Sequence, residues 1–227
     1  MSPDEIDVIL LSLKVAFWSV LLSAPVALAT AHLLARKTFL GKTLFDAFIH
    51  LPLVLPPVVI GFALLMLLGR KGLLGSWLDQ TFGIVFAFKW TGAALASGIM
   101  GFPLMVRAMR LSIAAIDRRL EFAARSLGAT RLRAWFTITL PLALPGIVTG
   151  ALLSFARSLG EFGATITFVS NIPGETQTLP LAIYTYTQVP GAESQAIKLC
   201  IIAVLLSIAA LAASEWFNRK AELHAQR

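Results

Sequence analysis

Arg157 and Glu161 stand four residues apart and so share one face of a helix, just beyond a charge-free stretch of the chain. Charges buried in or near a membrane are costly and by default mark a functional interior. An exposed ion pair at a helix end would be worth little, and both readings fit the spacing. The hydroxyls of Thr165 and Thr167 follow within two turns. Other reactive types are sparse. The three histidines, His32, His50 and His224, are scattered and form no H-E-x-x-H pattern. No metal-ligand cluster and no catalytic constellation emerges, and no cofactor is expected. Cys200 is the single cysteine. It lies in an apolar run and is expected to be a small buried hydrophobe.

The elements that position these residues are dictated by composition. Hydrophobic residues make up 57% of the 227 and charged residues 14%, and mean hydropathy is +0.80. Soluble chains carry an apolar share nearer about 45–50%, so lipid must solvate much of this one. The net charge of +7 does not point to nucleic acid, because the basic residues sit in short clusters between apolar stretches without aromatic interleaving. The start, Met1-Ser2-Pro3-Asp4-Glu5, is acidic and lacks the basic region of a cleaved signal peptide.

Windows free of Asp, Glu, Lys and Arg fall at 15–35, 51–69, 90–106, 134–156 and 199–214. With snorkelling flanks such as Lys14 and Lys198, they predict an all-α integral membrane protein of about five spans. The spans are placed at 11–35, 46–69, 89–110, 134–157 and 197–217. The apolar pieces 162–172 and 179–186 are too short to cross and read as re-entrant or interfacial. Thirteen of the nineteen basic residues fall in loops on one side, which makes that side cytoplasmic. The N-terminus is then outside and the C-terminus inside. Trp77, Trp90, Trp135 and Trp216 fall near span ends, as interfacial rings do. Trp18 lies deeper and is expected to pack on a neighbouring helix.

The loop between the third and fourth spans predicts an amphipathic helix over 116–128. Ile116, Leu120, Ala123, Ala124 and Leu127 share one face. Asp117 can cap its start, Gly128 can end it in the left-handed conformation, and Glu121 is expected to pair with Arg125. By charge alone, such a helix would rest on lipid headgroups. Earlier in the chain, the His50-Leu51-Pro52-Leu53-Val54-Leu55-Pro56-Pro57-Val58-Val59-Ile60-Gly61 run puts three prolines in one span. The freed carbonyls need protein or water partners, so this span is expected to face the bundle interior.

Ala123-Ala124, three residues, Gly128, nine residues, then Ile138-x-Leu140-Pro141 resembles the E-A-A-x3-G-x9-I-x-L-P loop of ABC importer permeases. Phe122 stands where that family has its glutamate, and Glu121 lies one residue earlier. The proline run and the Ser158–Thr176 stretch, S-L-G-E-F-G-A-T-I-T-F-V-S-N-I-P-G-E-T, resemble the molybdate permeases over nearly the whole chain. Sulfate permeases share a related core but are usually longer, and tungstate has the same shape and charge as molybdate.

The resemblance implies a type I ABC importer transmembrane domain over 6–217 followed by a cytoplasmic tail at 218–227. Glu121, Phe122, Ala123, Ala124 and Gly128 would couple the spans to a cytoplasmic ATPase dimer. The permease would be a homodimer in the inner membrane, served by an extracytoplasmic molybdate-binding protein. Arg157, Glu161, Thr165 and Thr167 are expected to line or gate the path. The chain has no G-x-x-x-x-G-K-[ST] phosphate loop, so ATP hydrolysis belongs on another subunit. An integral membrane enzyme or a stand-alone channel is the alternative of another class.

Overall fold

The structure, a computed structural model, describes residues 2–225, with side chains described for residues 2–216. The side chains of the 218–227 tail, with Arg219, Lys220, His224 and Arg227, lie outside the described residues. Every regular element among the described residues is helical. In chain order they are α1 (Pro3–Arg36), α2 (Lys42–Val54), α3 (Pro57–Leu68), α4 (Leu73–Phe82), α5 (Trp90–Ala115) and α6 (Arg118–Ser126). Then come α7 (Arg131–Ala134), α8 (Leu140–Leu159), α9 (Gly163–Val169), α10 (Leu179–Thr187) and α11 (Glu193–Ala225). A π turn, Trp135–Thr139, fuses α7 and α8 into one rod, Arg131–Leu159.

The first helix begins on a capping box. Glu5 N donates to Ser2 Oγ at 3.2 Å and Ser2 N donates to Glu5 Oε2 at 2.9 Å. Its 34 residues rise roughly 1.5 Å each, more than enough for a hydrocarbon core of roughly 30 Å. Four helices are long and apolar enough to cross: α1, α5, the Arg131–Leu159 rod and Glu193–Trp216 of α11. A fifth crossing exists if α2 and α3 are one broken span.

Helix α5 is the hub, with α1 and α8 packed along it and α11 on the far side of α8. Two-thirds of its apolar window is buried, against about a sixth for the α8 rod and α11. The reason is side-chain size. Lipid tails are as apolar as leucine, so helices associate through close packing, and small residues permit it. Gly92, Ala93, Ala94, Ala96, Ser97, Gly98 and Gly101 of α5 are all buried. At Gly101 the α8 side chain of Ser154 occupies the space a Cβ would need. Toward the basic end of the bundle the seam coarsens to Met105, Val106, Met109 and Ile113, packed with Leu34 of α1 and Ile49 of α2.

The outer face of α11 carries Ile197, Ile201, Val204, Leu205 and Ile208, all exposed. Cys200 is exposed as well, which corrects the expectation that it is buried. An apolar run in this chain is solvated by lipid as readily as by a protein core. Trp18 is 38% exposed and meets Phe17 of its own helix edge-on. Lys14, about one turn before Trp18 on α1, places Nζ over the Trp90 ring, 3.8 Å from its centroid.

The proline run does not form one rod. Pro56 holds Leu55 extended (φ −72°, ψ 144°), Pro57 opens a new helix, and α2 and α3 meet at 110°. Only one face of α3 turns inward. A Cβ at Gly61 would stand 2.5 Å from the Ala164 carbonyl oxygen, so α3 and α9 approach backbone to backbone there. The apolar pieces after Glu161 form α9 and α10, of seven and nine residues, with a turn between them. Helix α9 packs between α3 and α5, and α10 packs on α1 and α11.

Candidate functional site

The predicted amphipathic loop is ordered by its caps. Asp117 Oδ1 accepts from Arg119 N at 2.9 Å at the start of α6. At its end Gly128 takes φ +91°. Gly128 N donates to Arg125 O and Ala129 N to Ala124 O, both at 3.0 Å, a complete Schellman closure. Leu120, Ala123 and Leu127 of the apolar face are exposed, Leu127 at 90%, and no residue of α6 is buried. An apolar helix face is therefore left uncovered.

Glu121 is engaged inward. Its Oε1 accepts from Thr139 Oγ1 at 2.7 Å and lies 3.1 Å from Arg36 Nη2 at the end of α1. This corrects the expected Glu121–Arg125 pairing. Arg36 has 8% of its side chain exposed, whereas Arg125 is exposed. The carboxylate gains more from a cation that water screens less. Arg36 Nη1 also donates to Ile116 O at 3.2 Å. One carboxylate thus ties α6 to both α1 and the π turn.

The π turn explains how Thr139 reaches it. Pro141 has no N–H to donate to Thr137 O and its ring would crowd that carbonyl. The ladder widens instead, and Leu140 N donates to Trp135 O, five residues back. The two ends of the E-A-A…I-x-L-P spacing are joined through the 121–139 hydrogen bond.

The second predicted group sits where α8 ends. Arg157 Nη1 lies 2.7 Å from Glu161 Oε2, and Glu161 Oε1 accepts from Ala164 N at 2.8 Å. Glu161 is 1% exposed and the Arg157 side chain 29%. The pair is therefore not the exposed helix-end bridge: the acid is inside and the guanidinium reaches outward. Thr165 Oγ1 donates to Phe162 O at 2.9 Å, and Thr167 Oγ1 to Gly163 O at 2.8 Å. Both hydroxyls spend their proton on the backbone of α9 and retain acceptor lone pairs. Thr165 is buried and Thr167 half-buried.

Three partners escaped the sequence reading. Arg36 and Thr139 complete the Glu121 tie, and Asp46 of α2 receives Arg110 Nη1 of α5 at 2.8 Å. The signal for Thr139 was its place in the I-x-L-P motif. The other two are contacts between distant segments, which spacing does not encode.

Residues 23–223 match the family of binding-protein-dependent transport system inner membrane components. The chain belongs to that family. The molybdenum transport system permease protein ModB of Haemophilus influenzae is 58% identical over 216 residues, covering 95% of this chain and 94% of that one. ModB of Escherichia coli K12 is also 58% identical, over 219 residues and 96% of each chain. Among solved structures, a chain of the bacterial alginate ABC transporter, solved with its alginate pentasaccharide-bound periplasmic protein, superposes with a TM-score of 0.75. That alignment covers 97% of this chain and 80% of that one at 17% identity, and speaks for the fold alone. The fold is the type I ABC importer transmembrane domain, and this permease-family chain is a multi-pass protein of the inner membrane.

Proposed function

We propose that this chain is the permease subunit of an ATP-driven molybdate importer. It works as a pair of copies with a cytoplasmic ATPase dimer and an extracytoplasmic molybdate-binding protein. The observation that carries this reading is the α6 loop. An uncovered apolar helix face suits a docking partner, and the inward tie of Glu121 to α1 and the π turn suits transmission of that partner's motion. ATP binding closes the partner, α6 moves with it, and the two permease copies rearrange as rigid bodies between outward and inward access. With α6 facing the cytoplasm and the N-terminus outside, the basic loops lie on the inner side, and that charge bias supports the orientation.

Molybdate as the ion is supported by near-full-length likeness to the ModB proteins. Selectivity rests mainly with the binding protein, because transport requires that the ion leave the permease. Arg157, Glu161, Thr165 and Thr167 line or gate the path. Arg157 offers the outward-reaching cation to a passing oxyanion, and Glu161 holds it in place.

Uptake of labelled molybdate by cells whose own permease is deleted tests the assignment. Restored uptake that excess tungstate competes and excess sulfate does not is the expected result. Sulfate competing equally would replace molybdate with a broader oxyanion. Failure of the chain to co-purify with an ATPase subunit would sink the importer reading altogether.

A further inference from the structure

Between the end of α1, the inner flank of α6 and the start of α7 lies a notch of about 440 Å³. Arg36, Lys37, Arg118, Arg125 and Arg131 line it, with Glu121 as the only carboxylate. Glu121 does not balance them, since it is already engaged by Thr139 and Arg36. Among the described residues no carboxylate pairs with Lys37, Arg118, Arg125 or Arg131. Arg36 itself has a buried Nε with no acceptor, although buried guanidinium donors are normally satisfied. The notch is built for an anion it does not itself supply.

Its depth tells which anion. Two apolar crossing helices end at its walls, α1 at Arg36 and the α8 rod at Arg131. The notch therefore sits where hydrocarbon gives way to headgroups. Trp135 lines it, an interfacial side chain whose Nε1 donates to His32 Nδ1 at 3.1 Å. Exposed apolar side chains stand beside the cations: Leu132 at 71% and Phe122 at 60% line the notch, and Phe136 at 57% adjoins it. A soluble oxyanion gains nothing from them, whereas acyl chains do.

We propose that this notch binds the phosphate of an acidic phospholipid from the adjoining leaflet, bracing α6 against α1 and α7. The inference needs only the membrane position of the helices, and neither the transported ion nor the ATPase.

The full-length permease in detergent, offered equal phosphatidylglycerol and phosphatidylcholine, can be read by native mass spectrometry. Wild type is expected to retain phosphatidylglycerol with a preference of about tenfold or more, and Arg125→Gln to lower it about fivefold at low salt. Arg118→Gln/Arg125→Gln/Arg131→Gln should abolish the preference. Arg70→Gln/Lys71→Gln/Lys89→Gln removes equal charge elsewhere and should leave it intact. Equal loss in both triple variants, or in neither, overturns the site. Displacement of the lipid by inorganic phosphate that is itself retained would make it a soluble-anion site instead. A notch variant that keeps its lipid but loses a co-purifying ATPase subunit would make it a protein dock.

Discussion

Removing the Glu121 carboxylate is the sharpest test of how α6 is held. None of its residues is buried, so packing contributes little and the tie to Thr139 and Arg36 must carry much of its anchorage. A hydrogen bond to a charged group contributes about 1.5–3 kcal/mol. The ion pair is half in water on the Glu121 side, at 29% exposure against 8% for Arg36, and adds about 0–1 kcal/mol on the scale of surface pairs. Glu121→Ala should then loosen α6 by about 2–3 kcal/mol, which is about thirty- to 150-fold in its opening equilibrium. Hydrogen exchange of the purified permease reads this directly. Amides of Arg118–Ser126 should exchange faster by roughly that factor, with those of α5 unchanged. Thr139→Val removes one partner while keeping the shape, and the double variant should be less than additive by about 1–3 kcal/mol. Unchanged exchange in α6, or full additivity, would refute the tie.

Other expectations follow from single contacts. Gly128→Val puts a β-branched residue at φ +91°, a strain of about 1–2 kcal/mol. It should lower the molybdate transported per ATP hydrolysed while leaving membrane insertion intact, and full coupled uptake would count against α6 as the transmission element. Arg157→Ala strands the buried Glu161 carboxylate and should lower thermal stability of the purified protein by about 3–5 kcal/mol. Glu161→Gln keeps an acceptor for Ala164 N and should cost less; normal uptake and normal coupled ATPase activity in alanine variants of both residues would remove them from the path. Gly61→Val drives a side chain into the Ala164 carbonyl and should separate α3 from α9. Size-exclusion profiles should broaden, and an unchanged profile and melting point would show that the approach is slack.

The features legible in the sequence are those written in local spacing. Charge-free windows announced the crossing helices, and Asp117 and Gly128 announced both ends of α6, because caps act within a few residues. The Pro56–Pro57 pair announced a disturbance but not a 110° turn, since the angle depends on what α3 finds to pack against. Glu121 was assigned to Arg125 because a helix neighbour is the nearest cation in sequence. The winning partner, Arg36, is 85 positions earlier and becomes a neighbour only when α1 and α6 meet. Cys200 misled for a related reason: apolar surroundings in a membrane chain mean either protein or lipid, and periodicity does not distinguish them.

The π turn has a consequence for how the loop is measured along the chain. A π turn holds one residue more than the α turn it replaces, so the stretch between Gly128 and Leu140 contains a residue that adds width to the helix instead of length. The wide turn absorbs that residue, so the helix on either side keeps the phase of an uninterrupted α-helix and Thr139 is left facing Glu121. The spacing that looks like a fixed count in the sequence is a setting of helix phase, and a loop of the right length with the wrong phase would be disconnected from the helices it is meant to move.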